Sequence, residues 1–181
     1  MRTLYGLAEG IRRCTACILW DGRTLAVPGE GGGKVMFIGD VPGVEENRMG
    51  RPFVGPSGDI FDSLLESVNL TRENTFVTNV CKCHPSHGRK PDDEEIKTCK
   101  EEWLDLQISV LNPKLIVVMG ELALKSIFGG GDISKLHGDV IDQKYFITYS
   151  PAEALKSPKV KAAMKKDFEK LGLFMTKIKI L

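Results

Sequence analysis

Leu115–Met119 reads Leu-Ile-Val-Val-Met between Pro113 and Gly120, and no other stretch limits the fold as tightly. A strand turns alternate side chains to opposite faces, so a run without a polar member must be covered on both sides. Three more stretches read as strands: Val35–Ile38, Thr75–Val80 and Tyr145–Tyr149. Helical periodicity fills the gaps. Ile60, Phe61, Leu64 and Leu65 recur at helical spacing from a cap at Ser57 to Val68. Asp92 or Asp93 caps a long helix, apolar on more than one side, that Pro113 ends. Helices follow over Glu121–Phe128 and Val160–Phe174, and a short one over Thr3–Arg13 delivers Cys14. Strands alternating with helices predict an α/β fold, a three-layer sandwich with a central four-stranded parallel sheet flanked by helices. Residues 18–34 read as loop, because Gly29-Glu30-Gly31-Gly32-Gly33 suits no regular element.

In such a sheet, ligands bind where the loops leave the carboxyl ends of the strands. The connection from Gly39 to Ser57 is long for a compact domain and holds Gly39-Asp40-Val41-Pro42-Gly43, Glu45-Glu46 and Arg51-Pro52-Phe53-Val54-Gly55. Long ordered loops are usually functional. Glycines there free backbone N–H groups to face a ligand, and the loop adds carboxylates and one large ring. The strand ends at Gly39, Asn79 and Tyr149–Ser150 open onto one edge, which is the predicted site.

The 181 residues predict one domain, residues 1–181, with a real core. No apolar run approaches the roughly 20 residues of a membrane span, and the N-terminus lacks the apolar core of a secretory signal, so a cytoplasmic protein is expected. Net charge is only +1, but from Lys156 onward eight lysines face two acids, Asp167 and Glu169. That end suits a phosphate backbone or a solvated helix equally. Five cysteines in a cytosolic chain argue against structural disulfides. Cys14 and Cys17 form a C-x-x-C pair, and Cys81, Cys83 and Cys99 follow; such thiolates suit iron–sulfur or zinc.

These motifs in this order resemble the uracil-DNA glycosylase superfamily, in particular its iron–sulfur-containing family 4 enzymes of bacteria and archaea. The resemblance runs from about Cys14 to Leu173. It rests on Gly39–Gly43, on Gly50-Arg51-Pro52-Phe53-Val54-Gly55 and on Thr78-Asn79-Val80-Cys81-Lys82-Cys83. Pro91–Cys99, Leu115–Gly120 and Ile133-Ser134-Lys135-Leu136-His137-Gly138 extend it. It implies a 4Fe–4S cluster held by Cys14, Cys17, Cys83 and Cys99 in a structural role, with Cys81 a buried bystander.

The resemblance also implies a pocket for a base flipped out of DNA. Phe53 would stack on uracil. The Asn79 amide would donate to O4 and accept from N3–H, the opposite of cytosine's pattern. Backbone N–H groups around Asp40 and Val41 would hold the negative charge that develops at O2. Asp40, or Glu46 as a second candidate, would orient the attacking water or offset charge on the sugar. Ser57, Ala154, Leu155 and Lys156 match DNA-contacting positions, with Ala154 or Leu155 as the wedge. The implied function is base-excision repair of uracil in single- or double-stranded DNA by a monomer.

Two departures qualify this. Asp40 stands where the family has Glu, and Ser150-Pro151 replaces its His-Pro, whose histidine donates to O2. Losing such a donor costs about 2.7–4 kcal/mol. Two rivals follow: a non-catalytic module binding deaminated or single-stranded DNA, and a glycosylase for another deaminated base.

Overall fold

The computed structural model describes residues 3–180. A first helix, α1 (Leu4–Arg12), leads to the edge strand β1 (Glu30–Gly31) and then β2 (Val35–Gly39). Helices α2 (Val44–Met49) and α3 (Pro56–Ser67) precede β3 (Thr75–Asn79). Next come α4 (Asp93–Cys99), a wide π-type segment over Lys100–Leu104, α5 (Asp105–Leu111) and β4 (Leu115–Met119). The chain closes through α6 (Glu121–Phe128), α7 (Ile133–Leu136), β5 (Val140–Ile141), β6 (Tyr145–Thr148), α8 (Pro151–Lys156) and α9 (Pro158–Lys177).

The α/β sandwich is as expected, but the sheet has six strands, in the order β1-β3-β2-β4-β6-β5, where four were expected. The parallel centre is β3-β2-β4-β6, and β1 and β5 add antiparallel edges. Each edge strand is two residues long, too short to carry a periodic signal, and β1 lies in the glycine run assigned to loop. Gly31 fits beside the backbone of β3 because a Cβ there would strike the Thr75 and Arg72 carbonyls.

Apolar runs recur because the central strands are buried on both faces. Val35, Phe37, Val77, Val117 and Phe146 join one core with α3 and α9; Met36, Ile38, Phe76, Ile116, Val118 and Ile147 join the other. Phe37 packs edge-on to Phe61 of α3 and stacks with Phe168 of α9.

Three local expectations change. The long loop after β2 contains α2, whose Val44-Glu45-Glu46-Asn47-Arg48-Met49 offers little apolar periodicity. Ser57 does not cap α3: Gly55 occupies that position and Pro56 the first helical one, where its missing N–H costs nothing. Asp92, not Asp93, caps α4, through a reciprocal bond with Glu95.

Candidate functional site

The carboxyl ends of β2, β3 and β6 open into a cleft of about 270 Å³, lined by Asp40, Val41, Glu46, Phe53, Ser57, Asn79 and Ser150 together with His84 and Arg89. Most of the predicted site therefore converges. Ala154, Leu155 and Lys156 do not line it.

Phe53 is held by its main chain. It sits at φ 48°, in the left-handed region that side chains other than glycine rarely adopt. Arg72 donates from Nη1 to the Pro52 carbonyl at 2.9 Å and from Nη2 to the Phe53 carbonyl. Glu30 on β1 anchors Arg72 at 2.8 Å and Arg51 at 2.7 Å, so the edge strand fixes the loop that carries the ring. Phe53 stacks on Phe61, centroids 4.8 Å apart. Strain kept by so many restraints is characteristic of a working site.

Asn79 ends β3 with only 3% exposure. Its carbonyl accepts from Lys82 Nζ at 2.5 Å, while its side-chain amide faces the cleft without a partner among the described residues. Gly39 brings amide and ring together: a Cβ there would lie 2.5 Å from both Asn79 Oδ1 and Phe53 Cζ. The flat amide and the aromatic ring thus border one narrow slot.

Asp40 turns its carboxylate to the start of α6, where the Ala123 N–H donates to Oδ1 at 2.8 Å. Gly120 must be glycine, because a Cβ would sit 2.5 Å from Asp40 Oδ2 and its φ is 108°. Burial pushes the Asp40 carboxyl up to about 7, with Glu153 and Glu121 adding repulsion against the Ala123 and Leu122 N–H groups. Glu46 is buried at the third position of α2 with its carboxyl beside Gly43, and burial raises it as well. The Val41 N–H has no acceptor within the described residues.

Ser150 reaches the cleft as the cap of α8. Its Oγ accepts from Glu153 N–H at 3.2 Å and donates to Glu153 Oε2 at 3.0 Å, so its proton is already engaged. Ser150-Pro151-Ala152-Glu153 carries the spacing of a capping box, a signal readable in the sequence but missed there. Behind it, Ala154 is 2% exposed and packs in the core, whereas Leu155 is 51% exposed and Lys156 points outward. His84 was also missed; its Nδ1 lies 2.7 Å from the Pro42 carbonyl.

On the other side of β3, Cys14, Cys17, Cys83 and Cys99 line one cavity, roofed by Trp20 and Trp103. Among the described residues no three His, Cys, Asp or Glu side chains are close enough to hold a single metal ion. Four thiols around one shared space are a donor set of the kind that holds iron–sulfur clusters. N–H groups also aim at these sulfurs: Arg23 at Cys83 (3.0 Å), Trp103 at Cys14 (3.1 Å) and the Lys82 main chain at Cys99 (3.2 Å). Such bonds tune thiolates held by iron. The wide turn of Lys100–Leu104 carries Trp103, and Gly10 of α1 leaves room for its ring. Cys81 is fully buried but outside this cavity. The neighbouring Cys81 thiol and the Lys82 ammonium hold Cys99 below the ordinary thiol value, while burial pushes Cys83 up to about 11.

With this geometry in hand, comparison with known proteins is specific. The family described as the uracil DNA glycosylase superfamily matches residues 28–172. A type-4 uracil-DNA glycosylase of Sulfurisphaera tokodaii is 38% identical, covering 94% of this chain and 84% of that protein. Type-4 uracil-DNA glycosylases of Saccharolobus solfataricus and Thermotoga maritima are each 36% identical, covering 94% of this chain and 86% and 94% of theirs.

Proposed function

The chain belongs to the uracil DNA glycosylase superfamily, and from that premise we propose that it hydrolyses the N-glycosidic bond of uracil in DNA, opening base-excision repair. The observation that carries this reading is the slot bordered by Phe53, Asn79 and Gly39. A flipped uracil stacks on Phe53, and the unpartnered Asn79 amide reads O4 and N3–H, which cytosine could not satisfy. The open Val41 N–H takes the charge developing on O2. Asp40 and Glu46 supply the carboxylates that orient water and offset positive charge on the sugar.

DNA is the partner, and the chain acts as a single-domain monomer in the cytoplasm. Ser57 and the N-terminus of α3, which lacks a side-chain cap, receive a phosphate. Exposed Leu155 is the wedge rather than buried Ala154, and Lys156 lies beside the backbone. A 4Fe–4S cluster, held by Cys14, Cys17, Cys83 and Cys99, ties the N-terminal segment to the sheet and supplies rigidity, not substrate chemistry.

Excision and binding measured side by side, on oligonucleotides bearing uracil or other deaminated bases, test the reading. Release of uracil above all other bases is expected. Tight binding without release of any base would favour the binding module, the rival that the engaged Ser150 hydroxyl supports.

Asp40 gives a pH test. Its carboxyl has a folded-state value of about 7, above the ordinary 3.8, so it is neutral in weak acid and ionises as pH rises. If the carboxylate is the working form, excision rises through about pH 7 and then levels. Asp40→Asn should remove that inflection. Because the folded state favours the neutral carboxyl, ionisation costs stability as pH climbs from about 4 to about 7. Asp40→Asn should therefore unfold at higher temperature than the parent at pH 8 but not at pH 4.

Ser150 gives a second test. Its proton is spent on Glu153, so it offers O2 little. Ser150→His should raise single-turnover excision about tenfold, roughly 1.4 kcal/mol of barrier, with abasic-product binding unchanged. Loss of the α8 cap should cost about 1 kcal/mol of stability. A folded variant that cuts no faster would show that this position does not limit the reaction.

A further inference from the structure

We propose that His84 is a further residue of the excision step, in which its Nε2 and the Glu46 carboxylate together orient the attacking water; this rests on the glycosylase reading above. His84 follows Cys83 directly and lines the cleft. Its Nδ1 lies 2.7 Å from the Pro42 carbonyl, which can only accept, so Nδ1 carries the proton. A neutral imidazole fixed in this tautomer presents a lone pair at Nε2, and Nε2 has no partner among the described residues.

Of the other polar side chains of the cleft, Arg89, Ser150 and Asp40 are engaged within the protein, and Ser57 lies at the N-terminus of α3. Arg89 donates to the Lys90 carbonyl at 3.0 Å and to both Glu95 oxygens at 2.6 and 2.8 Å. Ser150 is bound to Glu153, Asp40 to the start of α6, and the Asn79 amide is assigned to the base. Glu46 and His84 line the same cleft. Glu46 belongs to the wall built by residues 40–46, which also carries the open Val41 N–H, and His84 is tied to that wall through the Pro42 carbonyl.

A water poised for attack must donate both hydrogens so that an oxygen lone pair faces C1′. Two acceptors are needed, and Glu46 and His84 are two. In the step itself the C1′–N1 bond breaks and its electron pair stays on the base. The water oxygen bonds to C1′, and the proton it sheds passes to the Glu46 carboxylate. The segment Cys83–Pro91, anchored at Cys83 and by Arg89 to Glu95, thereby aims the imidazole. The expected histidine of position 150 is absent, but an imidazole reaches the cleft from beside a cluster cysteine.

The test uses cluster-loaded protein and a single-stranded oligonucleotide with one uracil, plus the same strand carrying non-hydrolysable 2′-fluoro-2′-deoxyuridine for binding. His84→Asn keeps a donor to the Pro42 carbonyl but removes the acceptor at Nε2; His84→Gln places an amide oxygen near it. His84→Ala and His84→Asn should slow single-turnover excision roughly 10²-fold, with His84→Gln recovering part of the rate. Analogue binding should stay within about twofold and the visible absorbance unchanged. His84→Asn at the parent rate would overturn the proposal, as would equal loss of rate and binding in all three variants. Parent protein that binds the analogue yet releases no uracil would instead refute the glycosylase reading itself.

Discussion

Asn79→Ala is expected to slow single-turnover excision of uracil by roughly 10³-fold or more, while leaving salt-dependent binding to undamaged DNA nearly intact. The reason lies in how the residue is divided. Its carbonyl is locked by Lys82, whose ammonium also donates to Thr78 and Gln107 at 2.7 Å each. Its side-chain amide serves nothing inside the protein. Truncation therefore strands no buried partner and should change the melting temperature little, yet it would remove both hydrogen bonds proposed to tell uracil from other bases. Phosphate contacts position DNA without reading it, so non-specific affinity should survive. Equal loss of discrimination and non-specific binding in a folded variant would make Asn79 structural.

The second large effect concerns the cysteines. Replacing Cys14, Cys17, Cys83 or Cys99 with Ala should bleach the broad absorbance near roughly 400 nm expected of a thiolate-held cluster and strongly destabilise the fold. The four residues come from the segment after α1, the loop after β3 and the end of α4, so a cluster held by them would crosslink three separate parts of the chain. Cys81→Ala should keep the colour, since Cys81 lies outside the cavity. A colourless parent with stoichiometric zinc would contradict the assignment.

Much of this was legible because burial on both faces leaves an unmistakable trace. Val35–Ile38 and Leu115–Met119 can only be interior strands, and their loops had to meet at one edge. That logic and the resemblance put Phe53, Asn79 and Asp40 at this edge, and all three line the cleft. The edge strands were hidden because two residues carry no period, and β1 is held by backbone contact to Gly31 rather than by a side chain. Helix α2 was hidden because charged residues dominate it. His84 was invisible for a different reason: its place in the cleft is set by the Pro42 carbonyl, 42 residues away in sequence, and no local pattern encodes that contact. Which of Ala154 and Leu155 reaches the surface was open in sequence; packing puts Ala154 in the core and leaves Leu155 exposed.

The central claim is that the slot beneath Phe53 and Asn79 releases uracil by hydrolysis. The most direct measurement is mass spectrometry of the free base after one turnover on single-stranded DNA containing uracil, run on the cluster-loaded parent and on Asn79→Ala. Free uracil from the parent, an abasic strand in equal amount, and almost none of either from the variant is the predicted result. Intact uracil in the strand after prolonged incubation with folded, cluster-bearing parent protein that binds it would contradict the account.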